Sequence, residues 1–80
     1  MYYVYIIQSI EHPKHFYIGY TQNLKKRIAN HNAGTSFHTD SYKPWELIAF
    51  MGFKNKETAL EFEKYLKSHS GRTFAKKRFW

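Results

Sequence analysis

Apolar and aromatic residues fall along the chain in blocks whose periods differ. Residues 2–9, YYVYIIQS, are aromatic or β-branched almost throughout, and both alternate sets, Tyr2/Val4/Ile6 and Tyr3/Tyr5/Ile7, are apolar or aromatic. A strand apolar on both sides is covered on both, which predicts a central strand. Ile10 to Lys14, with Pro13 inside, supplies a polar turn. His15 to Gly19 then reads as the returning strand of a hairpin. Trp45 to Phe53, WELIAFMGF, reads as a third strand, with Gly52 as its bulge or its end.

Between and after the strands the period changes to that of a helix. Thr21 and Asn23 are both candidate N-caps for a helix over Leu24 to Asn32, and Gly34 is a suitable stop. At ~100° per residue, Leu24 and Ile28 define its apolar direction. Arg27 and His31, at i and i+4, share an edge of that buried face, whereas Lys25, Lys26 and Asn30 point elsewhere. Residues 34–44, GTSFHTDSYKP, read as a loop. A second helix, capped by Asn55 or Thr58, runs to about Ser68, with Ala59, Phe62 and Leu66 as its apolar stripe. Glu63 falls inside that apolar arc. Carboxylates seldom face a core without a partner, so Glu63 snorkels at the margin, pairs with Arg27, or ligates a metal. The segment from Ser70 onward, SGRTFAKKRFW, interleaves Arg72, Lys76, Lys77 and Arg78 with aromatic residues. That mixture suits a sugar-phosphate backbone, although Phe74 is better suited to packing.

Charge narrows the partner. Thirteen Lys and Arg against six Asp and Glu leave +7 and a pI near 9.7. That favours a polyanion, nucleic acid ahead of membrane, because no long basic amphipathic helix is present. Eighty residues are expected to form one domain, 1–80, burying only about 60–65% of the unfolded surface. The absence of cysteine excludes disulfides and thiolate metal sites and fits a reducing cytoplasm. No apolar run approaches the ~20 residues of a membrane span, and no signal-peptide pattern is visible. His12 and His15 have an HxxH spacing, but across a proline turn and without a third ligand for zinc. There is no glycine-rich phosphate loop, nucleophile elbow or RNA-recognition motif.

The stretch Tyr17-Ile18-Gly19 carries the chemistry. Gly19 ends a strand and permits an approach that a Cβ would block. The phenols of Tyr17 and Tyr20 flank it, and a basic helix follows at once. A phenol beside a gap, with cations one helical turn away, suits attack on a phosphate. An ordinary phenol has a pKa ≈ 10, and neighbouring cations such as Arg27 and His31 favour its ionised form.

These residues resemble the GIY-YIG nuclease family. Tyr3-Val4-Tyr5 and Tyr17-Ile18-Gly19 match its paired motif, followed by Asn23-Leu24-Lys25-Lys26-Arg27, His31-Asn32, Gly34, Pro44-Trp45-Glu46-Leu47 and Ala59-Leu60-Glu61-Phe62-Glu63. Tyr3 stands where the first motif usually has glycine, and Tyr20 where many excision-type members have lysine. The chain looks like a small stand-alone bacterial member, similar to the nuclease domain of structure-selective and excision-repair endonucleases. The resemblance implies an α+β fold, a three-stranded antiparallel sheet flanked by helices. It also implies hydrolysis of phosphodiester bonds in DNA, in repair or in processing of branched DNA. In these terms Tyr17 activates water or acts as nucleophile, with Tyr5 beside it. Arg27 stabilises the phosphate, His31 lies near the nucleophile, and Glu63 holds Mg²⁺ or Mn²⁺. Substrate contacts fall to Gly19, Lys26, Arg72, Lys76 and Lys77, and a protein partner is expected to supply specificity. The alternative is a non-catalytic or partner-dependent nucleic-acid-binding module on the same scaffold.

Overall fold

The computed structural model describes residues 1–34 and 39–78. Three strands, β1 (Tyr2–Ser9), β2 (Phe16–Thr21) and β3 (Trp45–Phe53), form an antiparallel sheet in the order β2-β1-β3. Helix α1 (Leu24–Ala33) follows β2, and α2 (Lys56–Lys67) and α3 (His69–Arg78) follow β3. A short 3-10 turn spans Asp40–Tyr42. Thr35 to His38, within the predicted loop, and the aromatic pair Phe79 and Trp80 lie outside the described residues. Among the described residues, no helix is long and apolar enough to cross a membrane.

The doubly apolar pattern of β1 has its cause in the layering. Val4 and Ile6 are buried against Ala59, Leu66 and Ala75 of α2 and α3. Tyr5 and Ile7 point the other way, into a second cluster with Trp45 and the α1 residues Leu24 and Ile28. Helix ends form where the side chains allow. Asn23 caps α1 by accepting from the Lys26 amide, and Gly34 closes it at φ 78°, a left-handed angle suited to glycine. Asn55 caps α2 by accepting from the amides of Glu57 and Thr58.

Two local expectations give way. The sheet irregularity is not at Gly52. Register shifts between Ile6, opposite Ala49, and Ile7, opposite Leu47, so Ile48 is the extra residue. Gly52 instead lies opposite Tyr3, whose Cε1 would be 3.3 Å from a Cβ there. Ser70 to Arg78 belong to a helix, α3 (His69–Arg78), with Gly71 and Ala75 as its buried residues. A Cβ on Gly71 would collide with the Tyr65 carbonyl, so the glycine lets α3 close directly onto the end of α2. Ser68 makes that corner. Its hydroxyl donates to the Tyr65 carbonyl at 2.5 Å and accepts from the Gly71 amide at 3.1 Å. Phe74 is 36% exposed beside Tyr65, with ring centroids 6.2 Å apart, so it packs at the rim rather than in the core.

Candidate active site

The site is built where β1, β2 and α1 meet. Tyr5 and Gly19 are register partners, and Tyr5 is fully buried. Its phenol end lies over Gly19, where a Cβ would be 2.5 Å from Cζ. Gly19 therefore serves less as a strand end than as the floor on which a neighbouring tyrosine rests. The strand runs on to Thr21. Tyr20, one residue along, faces the opposite side of the sheet and stacks on Tyr2 at 6.4 Å. It is not part of the cluster.

Helix α1 brings its buried edge onto the same phenol. Arg27 Nε donates to the Tyr5 hydroxyl at 3.1 Å, and the hydroxyl is 2.7 Å from His31 Nε2. His31 Nδ1 is in turn 2.7 Å from Thr39 Oγ1. Arg27 Nε can only donate, so the phenol oxygen accepts from it and keeps its own proton to give; we assign that proton to His31 Nε2, 2.7 Å away. Nε2 is then the bare nitrogen, and the proton sits on Nδ1, donating to Thr39. The result is a directed chain from Arg27 through Tyr5 and His31 to Thr39. Tyr17 joins by ring contact, 6.3 Å from Tyr5 and 5.1 Å from His31, and its phenol helps to hold the Arg27 charge.

Electrostatics set the protonation states. Burial lowers the His31 pKa to about 4, aided by the Arg27 charge, so the imidazole is neutral at physiological pH. Burial likewise pushes the Tyr5 phenol up to about 12, against the hydrogen bond and charge of Arg27. Arg27 itself is raised, first by its bond to Tyr5. At Tyr5, then, His31 contributes no charge, and desolvation outweighs Arg27.

Glu63 reaches the cluster from α2, and its charge is felt by Tyr5. Its side chain is 20% exposed and pairs with Lys67 at 3.2 Å, rather than with Arg27. Lys67 Nζ also lies 5.9 Å from the centre of the Tyr17 ring. Beside Tyr17, along the free edge of β2, runs an open cleft of about 550 Å³ lined by Lys14, His15, Lys67, Arg72 and Lys76. Arg72 and Lys76 thus reach the neighbourhood of the tyrosines. Lys77 and Lys26 are exposed and do not line the cleft.

The donor set separates the metals it can hold. Among the described residues no group of three or more His, Cys, Asp or Glu is close enough to share an ion. His12 and His15 pack edge to face at 6.1 Å, and His15 is stacked on Tyr42. Zinc sites need several nitrogen or sulfur ligands. A single half-buried carboxylate fits instead a hard cation that keeps its waters and takes phosphate oxygens. Thr39, Lys67 and the lysine and histidine of the β1–β2 turn are the positions that sequence reasoning passed over. Lys67 alone carried a sequence signal, standing at i+4 from Glu63 on a helix.

Known proteins resemble this chain over most of its length. The family model of the GIY-YIG catalytic domain matches residues 1–78. A "structure-specific endonuclease subunit SLX1 homolog" of Giardia intestinalis is 43% identical over 65 residues, covering 76% of this chain and 18% of that protein. The SLX1 subunit of Debaryomyces hansenii is 39% identical over 70 residues, covering 79% and 20%. The chain thus spans about a fifth of these relatives. A UPF0213 protein of Streptococcus pyogenes is 36% identical over 72 residues, covering 89% of this chain and 76% of its own. The solution structure of a UPF0213 protein from Bacillus halodurans superimposes with a TM-score of 0.57 at 32% identity, covering 96% and 82%. With the motif tyrosines, the fold and the family match in agreement, the chain belongs to the GIY-YIG catalytic-domain family.

Proposed function

We propose that the chain is a metal-dependent endonuclease that hydrolyses phosphodiester bonds in DNA, with branched or repair-intermediate DNA as its substrate class. The observation that carries this reading is the Arg27 guanidinium, held through Nε by a buried phenol that packs against a second phenol beside a basic cleft. A guanidinium has five N–H donors in a rigid fork, so anchoring Nε leaves others for a phosphate oxygen. Fixed in advance, those donors meet charge as it develops on the phosphate without reorganising.

Tyr17, half-buried and lining the cleft, would orient water and, as the phenolate, accept its proton. Tyr5 and neutral His31 hold Arg27 in position, and His31 keeps a bare nitrogen for the Tyr5 proton. Glu63 would hold Mg²⁺ or Mn²⁺, which when bound supplies Lewis-acid stabilisation of the leaving oxygen. The SLX1 relatives are named as subunits, which supports a protein partner that directs the domain to its substrate.

One observation favours a second reading, a nucleic-acid-binding module without turnover: the Lys67 ammonium already sits on the Glu63 carboxylate. Incubating purified protein with Mg²⁺ or Mn²⁺ and a panel of linear, single-stranded, flapped and branched DNA separates the two. The nuclease reading expects discrete cleavage that disappears in Tyr17→Phe and Glu63→Gln proteins of unchanged circular dichroism. Parent-like cutting by those variants refutes the residue roles. Salt-sensitive binding without turnover, alone or with a partner, supports the module.

A further inference from the structure

The cleft at the β2 edge holds more than cations. Lys14 and His15 enter it from the β1–β2 turn, Lys67 from α2, and Arg72 and Lys76 from α3, and no carboxylate is among its lining residues. His15 is exposed and lies flat against Tyr42, with centroids 3.9 Å apart and planes 19° from parallel. His12 packs edge-on against Tyr42 at 5.4 Å.

This stack is fixed in place from below. The Tyr42 ring meets buried Trp45 at 6.5 Å, and its carbonyl accepts from Ser9 Oγ at 2.6 Å. Trp45 donates from its indole to the Thr39 carbonyl at 2.8 Å. The His15 backbone is held at both ends, its carbonyl by the Ser9 amide at 3.0 Å and its amide by the His12 carbonyl at 2.8 Å. A flat ring presented by so constrained a turn loses little freedom on accepting a second ring.

A basic groove bordered by a stacking platform is the arrangement by which proteins hold unpaired nucleic acid. The cations follow the backbone, and the rings take bases whose faces a duplex would conceal. We infer that the β2 edge seats an unpaired strand, with Lys14, Lys67, Arg72 and Lys76 on its phosphates and one base stacked on the outer face of His15. Resting on the nuclease reading, the inference adds a direction: the strand leaving Tyr17 over the β1–β2 turn is single. The substrate it selects is thus DNA with an unpaired arm next to the scissile bond.

Binding in EDTA, where no cleavage competes, tests this apart from the nuclease reading. Fluorescence anisotropy would compare a labelled oligothymidylate of roughly 12 nucleotides, the same length of abasic backbone, and a blunt duplex. The parent is expected to bind oligothymidylate more tightly than either. His15→Ala should weaken oligothymidylate binding about fivefold or more and leave the abasic strand unaffected, as loss of one stacked base requires. His15→Tyr, which keeps a ring, should restore it. Arg72→Gln with Lys76→Gln should weaken both strands and reduce the log–log salt slope by about 1.4, or 0.7 per phosphate contact. Duplex binding equal to or tighter than oligothymidylate overturns the inference. So does a His15→Ala protein of unchanged fold that binds oligothymidylate as the parent does. A protein that shows the expected pattern in EDTA yet cuts no substrate with metal leaves the inference standing and removes the nuclease reading.

Discussion

Replacing Gly19 by alanine puts a Cβ 2.5 Å from Tyr5 Cζ and against the Tyr5 hydroxyl, so the ring or the strand must move. The ring has little room, because its hydroxyl is held by Arg27 at 3.1 Å and lies 2.7 Å from His31. Overpacking of this kind costs about 1–3 kcal/mol. Against it stands the ordinary gain from replacing a strand glycine by alanine, roughly 0.5–1 kcal/mol. Removing the ring removes the cost and leaves the gain. Gly19→Ala should therefore destabilise the parent by about 1 kcal/mol and at most about 2.5, the overpacking cost less the gain, yet stabilise a Tyr5→Leu background by roughly 0.5–1 kcal/mol. The reversal is a coupling energy of about 1–3 kcal/mol, the overpacking cost itself, well outside additivity. Urea denaturation of the four proteins in the cycle measures it, from midpoints at a common slope. Equal destabilisation by Gly19→Ala in both backgrounds would refute the claim that Gly19 exists to receive Tyr5.

Other outcomes follow from the same contacts. His31 takes its proton near pH 6.5 when unfolded and at about 4 when folded, so the unfolded chain binds more protons in between. Stability should rise by about 3 kcal/mol from pH 4 to 6.5 and hold above it; an identical slope in a folded His31→Gln protein would contradict this. Tyr5, raised to about 12, gives the mirror image, with stability lost as pH rises from 10 towards 12. Long-range ¹H–¹⁵N correlation at neutral pH should find the His31 proton on Nδ1, and Thr39→Val should cost about 1–3 kcal/mol by orphaning it; a proton on Nε2 would reverse the direction assigned to the chain. Lys67→Ala should tighten Mg²⁺ binding, followed by amide shifts of Glu63 and its neighbours, by up to about fivefold, the strength of an exposed ion pair; weaker binding would mean that Lys67 assists rather than competes.

Much of this site was legible in the sequence, for identifiable reasons. The i, i+4 relation of Arg27 and His31 and the apolar line through Leu24 and Ile28 fix which edge of α1 faces the sheet, whatever that sheet turns out to be. The close approach at Gly19 could be read from residue type, but the approaching group could not. It comes from the neighbouring strand, and only the register of β1 on β2 names Tyr5. Thr39 was out of reach because it lies in a loop and meets His31 through tertiary closure alone. Helix α3 was missed because its contact surface is made of Gly71 and Ala75. Small residues that allow a close approach leave no apolar period to detect. Glu63 was correctly seen as out of place on an apolar face, yet its partner was sought across the fold in Arg27. The partner stands one turn away at Lys67.

The central claim is that the guanidinium of Arg27, anchored by the buried Tyr5 phenol, acts on the scissile phosphate. Single-turnover cleavage of a labelled branched DNA with saturating Mg²⁺ or Mn²⁺, comparing the parent with Arg27→Ala, tests it most directly. Loss of a preorganised donor to a developing oxyanion predicts a rate lower by about 10²–10³-fold with the fold retained. A folded Arg27→Ala protein that cuts within about threefold of the parent, far inside that range, would contradict the account.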